Sequence, residues 1–268
     1  MIWGHFLPNK VDGMRIIYMF LFLFLGFEHA DANDREPECL LIANSSPPLS
    51  VIDGKRITGF SVDLLGELFA NVGRNIETCS QAPVPWARGL ALLETTPGSI
   101  MFSVAKTLDR NEKYKWVGPF FSVDIALIGR MDKQFRIETV EDLKELCIGV
   151  IRGGAPEEIL KRRGIPAVDI DSLPEIADHI QTLLDGRCDL VAHVFPMLAY
   201  ELRERQIDPK EFEEVFLLKT VDLYFALNKN TPDEDIYRLQ DELDNLIRDS
   251  EENKIGAYRK LLFEYNLN

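Results

Sequence analysis

Along the chain, short apolar runs alternate with longer stretches in which apolar residues recur every three or four positions. The short runs at 39–43, 100–104 and 147–151 are typical of buried strands. The stretch 174–185 is typical of an amphipathic helix, because its apolar positions 176, 177, 180, 183 and 184 would share one face. Strands and helices in alternation predict an α/β fold with helices on both faces of mainly parallel sheets.

The same patterns place the remaining elements. Further strands are predicted over 75–79, 123–129, 168–170, 188–193, 214–218 and 223–228. Further helices are predicted over 62–72, 139–146, 156–163, 196–205 and 251–265, with two more starting near Trp86 and Thr231. Gly73 directly after the first of these helices, and Thr139 with Asp142 at the start of another, are residue types that end and begin helices.

The first 32 residues predict a secretory signal rather than part of the fold. Arg15 precedes a 12-residue apolar run over 16–27, and small residues form an A-x-A pattern at 30–32. The run is shorter than the roughly 20 residues that span a bilayer. A basic start, an apolar centre and a small-residue end favour cleavage after position 32, with Met14 as an alternative start. We therefore expect a signal peptide over 1–32 and an exported, periplasmic product; an uncleaved anchor is the alternative.

Composition and charge narrow the function classes. The chain has 268 residues and a net charge of −14. This charge speaks against nucleic acid and anionic membranes as partners, because both select basic patches. A small anionic ligand remains compatible where arginine is concentrated locally. Since the sequence holds no G-x-S-x-G, H-E-x-x-H or P-loop motif, we expect no cofactor and no metal.

Arg110 is the leading candidate for a ligand contact. It follows the strand predicted over 100–104 by a few residues. In open α/β sheets, ligands bind beyond the ends of strands. A guanidinium at that point offers a fork that matches a carboxylate. The alternative is a solvated arginine on a short surface helix.

Several short motifs, each weak alone, lie in a characteristic order. They are PP at 47–48, GFSVDL at 59–64, PWAR at 85–88, SVAKTLDR at 103–110, WVGP at 116–119, TVEDL at 139–143 before IGV at 148–150, and GRCD at 186–189. Together they resemble the amino-acid-type extracytoplasmic solute-binding proteins, the bacterial solute-binding protein family 3. The resemblance covers nearly all of the chain beyond the predicted signal.

The resemblance implies the two-lobed, type II periplasmic-binding-protein fold, an α/β architecture of two mixed sheets joined by two crossover strands. Lobe 1 would comprise 37–122 plus 223–268, and lobe 2 would comprise 126–218. The hinges would be 122–125 and 219–222.

The four cysteines, Cys39, Cys79, Cys147 and Cys188, contain no C-x-x-C pair, which disfavours a metal site. In an oxidising compartment four cysteines can pair in three ways, and buried free thiols are a further alternative. The implied lobes hold two cysteines each. They therefore favour the pairs Cys39–Cys79 and Cys147–Cys188.

The resemblance also implies a ligand site in the cleft between the lobes. Arg110 would hold a ligand carboxylate, assisted by donors at Ser103 and Ala105. Gly154 and Ala155 would add backbone donors at the start of a helix, where free N–H groups favour an anion. The expected site is therefore electropositive.

Three positions depart from the family pattern. Ala105 stands where many relatives have serine, Leu49 where an aromatic residue that stacks on the ligand is common, and Val194 where amino-acid binders place an aspartate for the ligand ammonium. A buried ammonium without a carboxylate would be destabilised, so we expect a carboxylate without an amine. Trp86 and Arg88 complete the expected set, with Arg88 either a second cation near the cleft or a solvated residue packed on Trp86.

We therefore expect a monomeric periplasmic protein that closes on a small, carboxylate-bearing metabolite and passes it to an ABC-type transporter or a sensor. One alternative is an enzyme resembling the cyclohexadienyl dehydratases, whose general acid would have to be His193; a half-buried structural role for His193 is weighed against this, and His179 is expected at the surface. Another is an orphan sensory module. A ligand ammonium would require a carboxylate from another position, such as Asp124 or Asp222.

Overall fold

The computed structural model describes residues 1, 39–165, 170–173, 175–252 and 256–267. Apart from Met1, the predicted signal peptide lies outside these ranges. The chain divides into two compact units, Met1–Glu36 and Pro37–Asn268, and every element named below belongs to the second. None of the helices in the described ranges has the length and apolar character that crossing a bilayer requires.

The secondary structure alternates as the sequence predicts. The strands are β1 (Leu40–Ala43), β2 (Val51–Asp53), β3 (Arg56–Thr58), β4 (Ser80–Pro83), β5 (Ser99–Ala105), β6 (Lys115–Arg130), β7 (Ile148–Ile151), β8 (Ile170–Leu173), β9 (Leu190–His193) and β10 (Phe212–Leu227). The α-helices are α1 (Phe60–Asn71), α2 (Trp86–Thr95), α3 (Leu108–Asn111), α4 (Ala155–Arg162), α5 (Ile176–Leu184), α6 (Phe195–Glu204), α7 (Asp233–Glu252) and α8 (Ala257–Glu264). Short 3₁₀ helices cover Ile76–Thr78, Met131–Lys133, Val140–Leu143 and Pro209–Glu211.

Two long antiparallel strands, β6 and β10, run through the middle of the main sheet, whose order is β4-β1-β5-β10-β6-β9-β7-β8. On one side of this pair, β1 is parallel to β4 and β5. On the other side, β7 is parallel to β8 and β9. The parallel strands on each side therefore form a mixed sheet with the long pair β6 and β10, which runs through both sheets. This is the arrangement of two mixed sheets joined by crossover strands, so the predicted type II fold is confirmed.

The predicted crossovers 122–125 and 219–222 pair directly with each other, with Val123 opposite Val221. The sequence predicts two separate strands around the second crossover, whereas the structure has the single strand β10. The run Lys219-Thr220 is exposed and polar, which hides strand character in a hydropathy pattern. The boundaries of the two lobes on either side of this pair stay predictions.

Helix α1 forms where the apolar period predicts it. Leu65, Leu68 and Phe69 are fully buried, and each such side chain contributes about 1.5–3 kcal/mol when removed from water. The helix ends at Asn71, and the chain turns away at Gly73, whose φ of 77° lies in the left-handed region that glycine adopts readily. Arg74 then donates its backbone N–H back to the carbonyl of Phe69 at 2.7 Å, closing the helix end.

Two disulfides tie neighbouring parallel strands together. Cys39 precedes β1 and is bonded to Cys79, which precedes β4. Cys147 precedes β7 and is bonded to Cys188, which lies just before β9. The predicted pairing is confirmed.

Other predicted elements are shifted or shortened. The strand predicted over 75–79 is a 3₁₀ helix, and the strand β4 begins directly after it. The helix predicted over 139–146 is also a short 3₁₀ helix, although Thr139 and Asp142 form the capping box that begins it. The strand predicted over 168–170 lies partly outside the described residues, and β8 starts at its end. For 75–79 and 139–146 the sequence correctly indicates ordered structure, but the predicted period is wrong.

Candidate functional site

A cavity with about 650 Å³ of empty space, part of it open to solvent, lies beside the crossover pair. Most of the side chains that line it are apolar: Trp86, Ala105, Val123, Ile125, Ile151, Ala155, Pro156, Val194, Met197, Val221 and Leu223. The others are Asn44, Ser46, Ser103, Arg110, Gly154 and His193. Within this described lining there is no acidic side chain, which bears directly on what charge the cavity can hold.

The crossover strands supply one wall of the cavity. Val123 and Ile125 of β6 and Val221 of β10 line it, as side chains two apart on a strand share a face. Asp124 and Asp222 alternate with these residues and are exposed. Asp124 accepts a hydrogen bond from Thr220 Oγ1 and Asp222 one from Ser122 Oγ, both at 2.6 Å. Neither aspartate lines the cavity, so neither supplies the carboxylate that a ligand ammonium would need there.

Arg110 is buried at the cavity, with 3% of its surface exposed. It lies in the short helix α3, directly beyond β5, and the solvated alternative is wrong. Its guanidinium donates from Nη1 to the carbonyl of Ala105 at 3.3 Å and from Nη2 to that of Gly153 at 2.7 Å. Nη2 also lies 2.7 Å from Glu158 Oε1. Burial lowers the pKa of Arg110, and the nearby Glu158 carboxylate opposes that shift.

Trp86 forms part of the surroundings of Arg110. Its indole Nε1 donates to the carbonyl of Gly153 at 2.9 Å, and its ring lies 5.5 Å from the guanidinium carbon of Arg110. Arg88 is exposed and does not line the cavity. Arg88 lies two positions after Trp86 in α2, which corresponds to about 200° of rotation around the helix. Arg88 therefore points away from the side of the helix that Trp86 occupies.

Ser103 reaches the cavity through an irregularity in β5. The pairing of β10 with β5 changes register between Tyr224 and Ala226. Ser103 there has a φ of 56°, a left-handed conformation that non-glycine residues rarely adopt, and such irregularities redirect side chains. Its hydroxyl lies 2.8 Å from that of Ser61, which fixes it at the cavity wall.

The start of helix α4 lies opposite Arg110. Gly154 precedes the helix, and both it and Ala155 line the cavity as expected. A Cβ on Gly154 would lie 2.8 Å from the carbonyl oxygen of Ile151, so only glycine fits without a shift. Glu157 Oε2 accepts the N–H of Gly153 at 2.6 Å, which satisfies one donor near the helix start.

The segment from His193 to helix α6 closes another side of the cavity, through His193, Val194 and Met197. Burial lowers the pKa of His193 to about 4. His179 of α5, expected at the surface, is fully buried, with its ring edge-on to that of His193 at 6.0 Å. Burial, and then the neighbouring His193, lower the pKa of His179 to about 3. Both imidazoles are therefore neutral at pH 7, and His193 carries no imidazolium proton to donate as a general acid.

Leu49 does not contact the cavity. It is fully buried in the core, because the backbone N–H of Leu49 bonds to the carbonyl of Ser46 at 2.9 Å and turns the chain inward. Asn44 and Ser46 line the cavity in its place. Their position directly after β1 is the sequence feature that could have predicted this role, since ligands bind beyond the strand ends in this class of sheet.

Glu158 is the functional neighbour that sequence reasoning missed. It belongs to the first turn of α4, where acidic residues are common for helix stability alone. Only the fold brings it to Arg110. No group of three or more histidine, cysteine, aspartate or glutamate side chains is placed to hold a metal ion in the described part of the chain.

Comparison with known proteins bears on both fold and family. The sequence profile of the bacterial extracellular solute-binding proteins, family 3, matches residues 40–257. The L-cystine-binding protein TcyJ of Escherichia coli K12 is 29% identical over 147 residues, 54% of this chain and 54% of TcyJ. The match therefore spans about half the length of that curated relative.

Two of the solved structures that match this chain illustrate the fold they share with it. A histidine kinase sensor domain with similarity to periplasmic binding proteins superposes with a TM-score of 0.71 at 20% identity, over 86% of this chain and 97% of the other. The substrate-binding protein of an amino acid ABC transporter superposes with a TM-score of 0.67 at 18% identity, over 86% of this chain and 100% of the other. At these identities the likeness concerns the fold alone. Because the profile match extends from β1 to α8, the chain belongs to the bacterial extracellular solute-binding proteins, family 3.

Proposed function

We propose that this solute-binding protein takes up a small ligand that carries a carboxylate and no ammonium, in the cavity beside Arg110. The observation that carries the proposal is the charge of the lining. Arg110 is the one charged side chain among the described residues that line the cavity, and its carboxylate partner Glu158 lies outside that lining. An anion would find a partner in this lining, whereas an ammonium would be buried without one.

The apolar side chains of the lining indicate the chemical character of the rest of the ligand. Val123, Ile125, Val221 and Met197 offer surface for a hydrocarbon body rather than for hydroxyl or amine groups. Ser103, Asn44 and Ser46 add a few uncharged polar groups. A carboxylate at one end of an apolar body matches this distribution.

Lobe closure brings the two halves of the lining onto the ligand. Trp86, Ser103 and Arg110 belong to the predicted lobe 37–122 plus 223–268, and Ala155 and Val194 belong to the predicted lobe 126–218. A ligand between them contacts both, so binding favours the closed arrangement. The hinges are the paired segments 122–125 and 219–222.

The partner is a membrane transporter of the ABC type or a sensor, with the protein acting as a monomer in the periplasm. Family membership and the names of the two structural neighbours support these two roles. Nucleic acid is not a partner, given the net charge of −14. The dehydratase-like alternative is not favoured, because His193 is neutral and no acid lines the cavity.

An amino acid is the second candidate ligand, favoured by the name of TcyJ. A thermal-shift screen separates the two by pairing acids with their amino counterparts: 4-methylpentanoate with leucine and 3-phenylpropionate with phenylalanine. The proposal predicts a larger rise in melting temperature with the acid of each pair. Larger rises with the amino acids, or with cystine or arginine, would overturn it.

A further inference from the structure

Arg110 is already paired with a carboxylate of the protein itself. Glu158 Oε1 lies 2.7 Å from Arg110 Nη2, and the side chains are 18% and 4% exposed. The two residues belong to different helices, α4 and α3. The carboxylate thus occupies part of the fork that the proposed ligand would use.

This pairing is incomplete. Arg110 Nε and Glu158 Oε2 are both buried and have no hydrogen-bond partner among the residues that the structure describes. A carboxylate that bound side-on to Nε and Nη2 would make two parallel bonds, where Glu158 makes one. The guanidinium therefore has hydrogen-bonding capacity that Glu158 does not use.

The guanidinium does not depend on Glu158 for its position. The carbonyls of Ala105 and Gly153 accept from Nη1 and Nη2, and the Trp86 ring lies 5.5 Å from its central carbon. These contacts remain when Glu158 moves away. Arg110 is thus preorganised for an exchange of carboxylates.

Glu158 also borders a second groove, which shares Ala105 and Val221 with the cavity. Side chains of Lys106, Arg162, Arg163 and Lys219 line this groove, against Glu158 and Asp222. Such a concentration of cations stands out in a chain with a net charge of −14. A displaced Glu158 carboxylate therefore meets positive charge and solvent, which offsets the loss of Arg110.

We propose that Glu158 is a specificity-determining residue: it holds Arg110 in the ligand-free protein, and only a ligand carboxylate can take its place. The inference rests on the proposed function and deepens it. Neutral ligands leave the Glu158–Arg110 pair intact and gain nothing from Arg110. The exchange therefore selects for anionic ligands and keeps the buried guanidinium paired in their absence.

The test compares wild type with Glu158→Gln and Glu158→Ala by calorimetry, using 3-phenylpropionate and its uncharged amide, 3-phenylpropanamide. Removing the competing charge should tighten binding of the acid by at least tenfold, the scale of one charge-assisted hydrogen bond. Binding of the amide should not change. Glu204→Gln removes a negative charge from the exposed far end of α6 and should behave as wild type.

The outcomes separate the inference from the function. If wild type binds the acid and neither Glu158 variant binds it more tightly, the inference fails and the proposed function stands. If the Glu158 variants bind the acid and the amide more tightly by the same factor, the substitution has changed the cavity for any ligand. That result would also overturn the inference. If neither wild type nor the variants bind the acid, both fail.

Discussion

Val123 of β6 and Val221 of β10 are direct partners across the crossover pair, and both side chains line the cavity. The segment expected to act as the hinge is therefore also a wall of the candidate site. In the proposed lobe closure, a ligand packed on these two valines would touch the strands that are expected to bend. Ligand contact and closure would then involve the same residues, which would link binding to conformational change.

Arg110→Ala should abolish the charge-assisted contact with a ligand carboxylate. We expect 3-phenylpropionate to bind more weakly by about 2–4 kcal/mol, measured by calorimetry. The same substitution leaves the Glu158 carboxylate buried without its partner, so we also expect a loss of about 1–3 kcal/mol in the free energy of unfolding. Arg88→Ala is the matched control, because Arg88 is exposed and outside the cavity. Equal affinities of the two variants would remove Arg110 from the site.

Val194→Asp should give the cavity the carboxylate that its lining lacks. We expect leucine to bind at least tenfold more tightly than to wild type, and 4-methylpentanoate to bind more weakly because of charge repulsion. Val194→Asn has nearly the same shape as the aspartate variant and no charge, so it serves as the control. A shift of the same size in both variants would show that polarity or packing at this position, rather than charge, sets the preference.

The disulfides should stabilise the fold substantially. Their sequence separations are 40 and 41 residues, and loops of this length correspond to about 3–4 kcal/mol each in the chain-entropy account. Paired substitution of Cys147 and Cys188 by serine should therefore lower the free energy of unfolding by that amount, with the bond Cys39–Cys79 kept. Peptide mapping without reduction checks the pairing, and recovery of a Cys79–Cys188 peptide would contradict it.

The histidine pair predicts a stability that falls on acidification. The pKa values of His193 and His179 in the folded protein are about 4 and about 3, below the unfolded value near 6.5. The unfolded state therefore binds more protons below pH 6.5, and stability rises with pH through this window. From pH 7 to pH 5 each histidine should remove about 2 kcal/mol from the free energy of unfolding.

Urea unfolding of wild type and His193→Asn at the two pH values measures this contribution. The variant should lose less stability than wild type on acidification, whatever its stability at pH 7. Parallel losses in the two proteins would show that the buried His193 does not titrate as expected.

Much of the fold could be predicted from local signals. The period of α1 and the capping pair at Thr139 and Asp142 were read directly, and the ordered motifs led to the disulfide pairing. The prediction that His179 lies at the surface is wrong, because His179 follows Ile176 by three positions and therefore lies on the buried side of α5. The helical spacing of His179 and Ile176 therefore indicates the buried position of His179 in the sequence itself.

The site was harder to predict because its contacts join distant parts of the chain. Arg110 could be selected from its place after a strand, but its partner Glu158 is 48 positions away and resembles any acidic residue of a first helical turn. Leu49 directly follows the PP motif and Arg88 ends the PWAR motif, yet Leu49 is buried in the core and Arg88 is exposed to solvent. Whether these two side chains point into the core, into the cavity or into solvent does not follow from their residue types alone.

Native mass spectrometry of the freshly purified protein, followed by denaturation and identification of any released small molecule, tests the central claim most directly. The account predicts a retained compound with a carboxylate and no amine, lost from Arg110→Ala and kept by Arg88→Ala. Release of an amino acid such as cystine or arginine, retained through Arg110 in the same way, would contradict it.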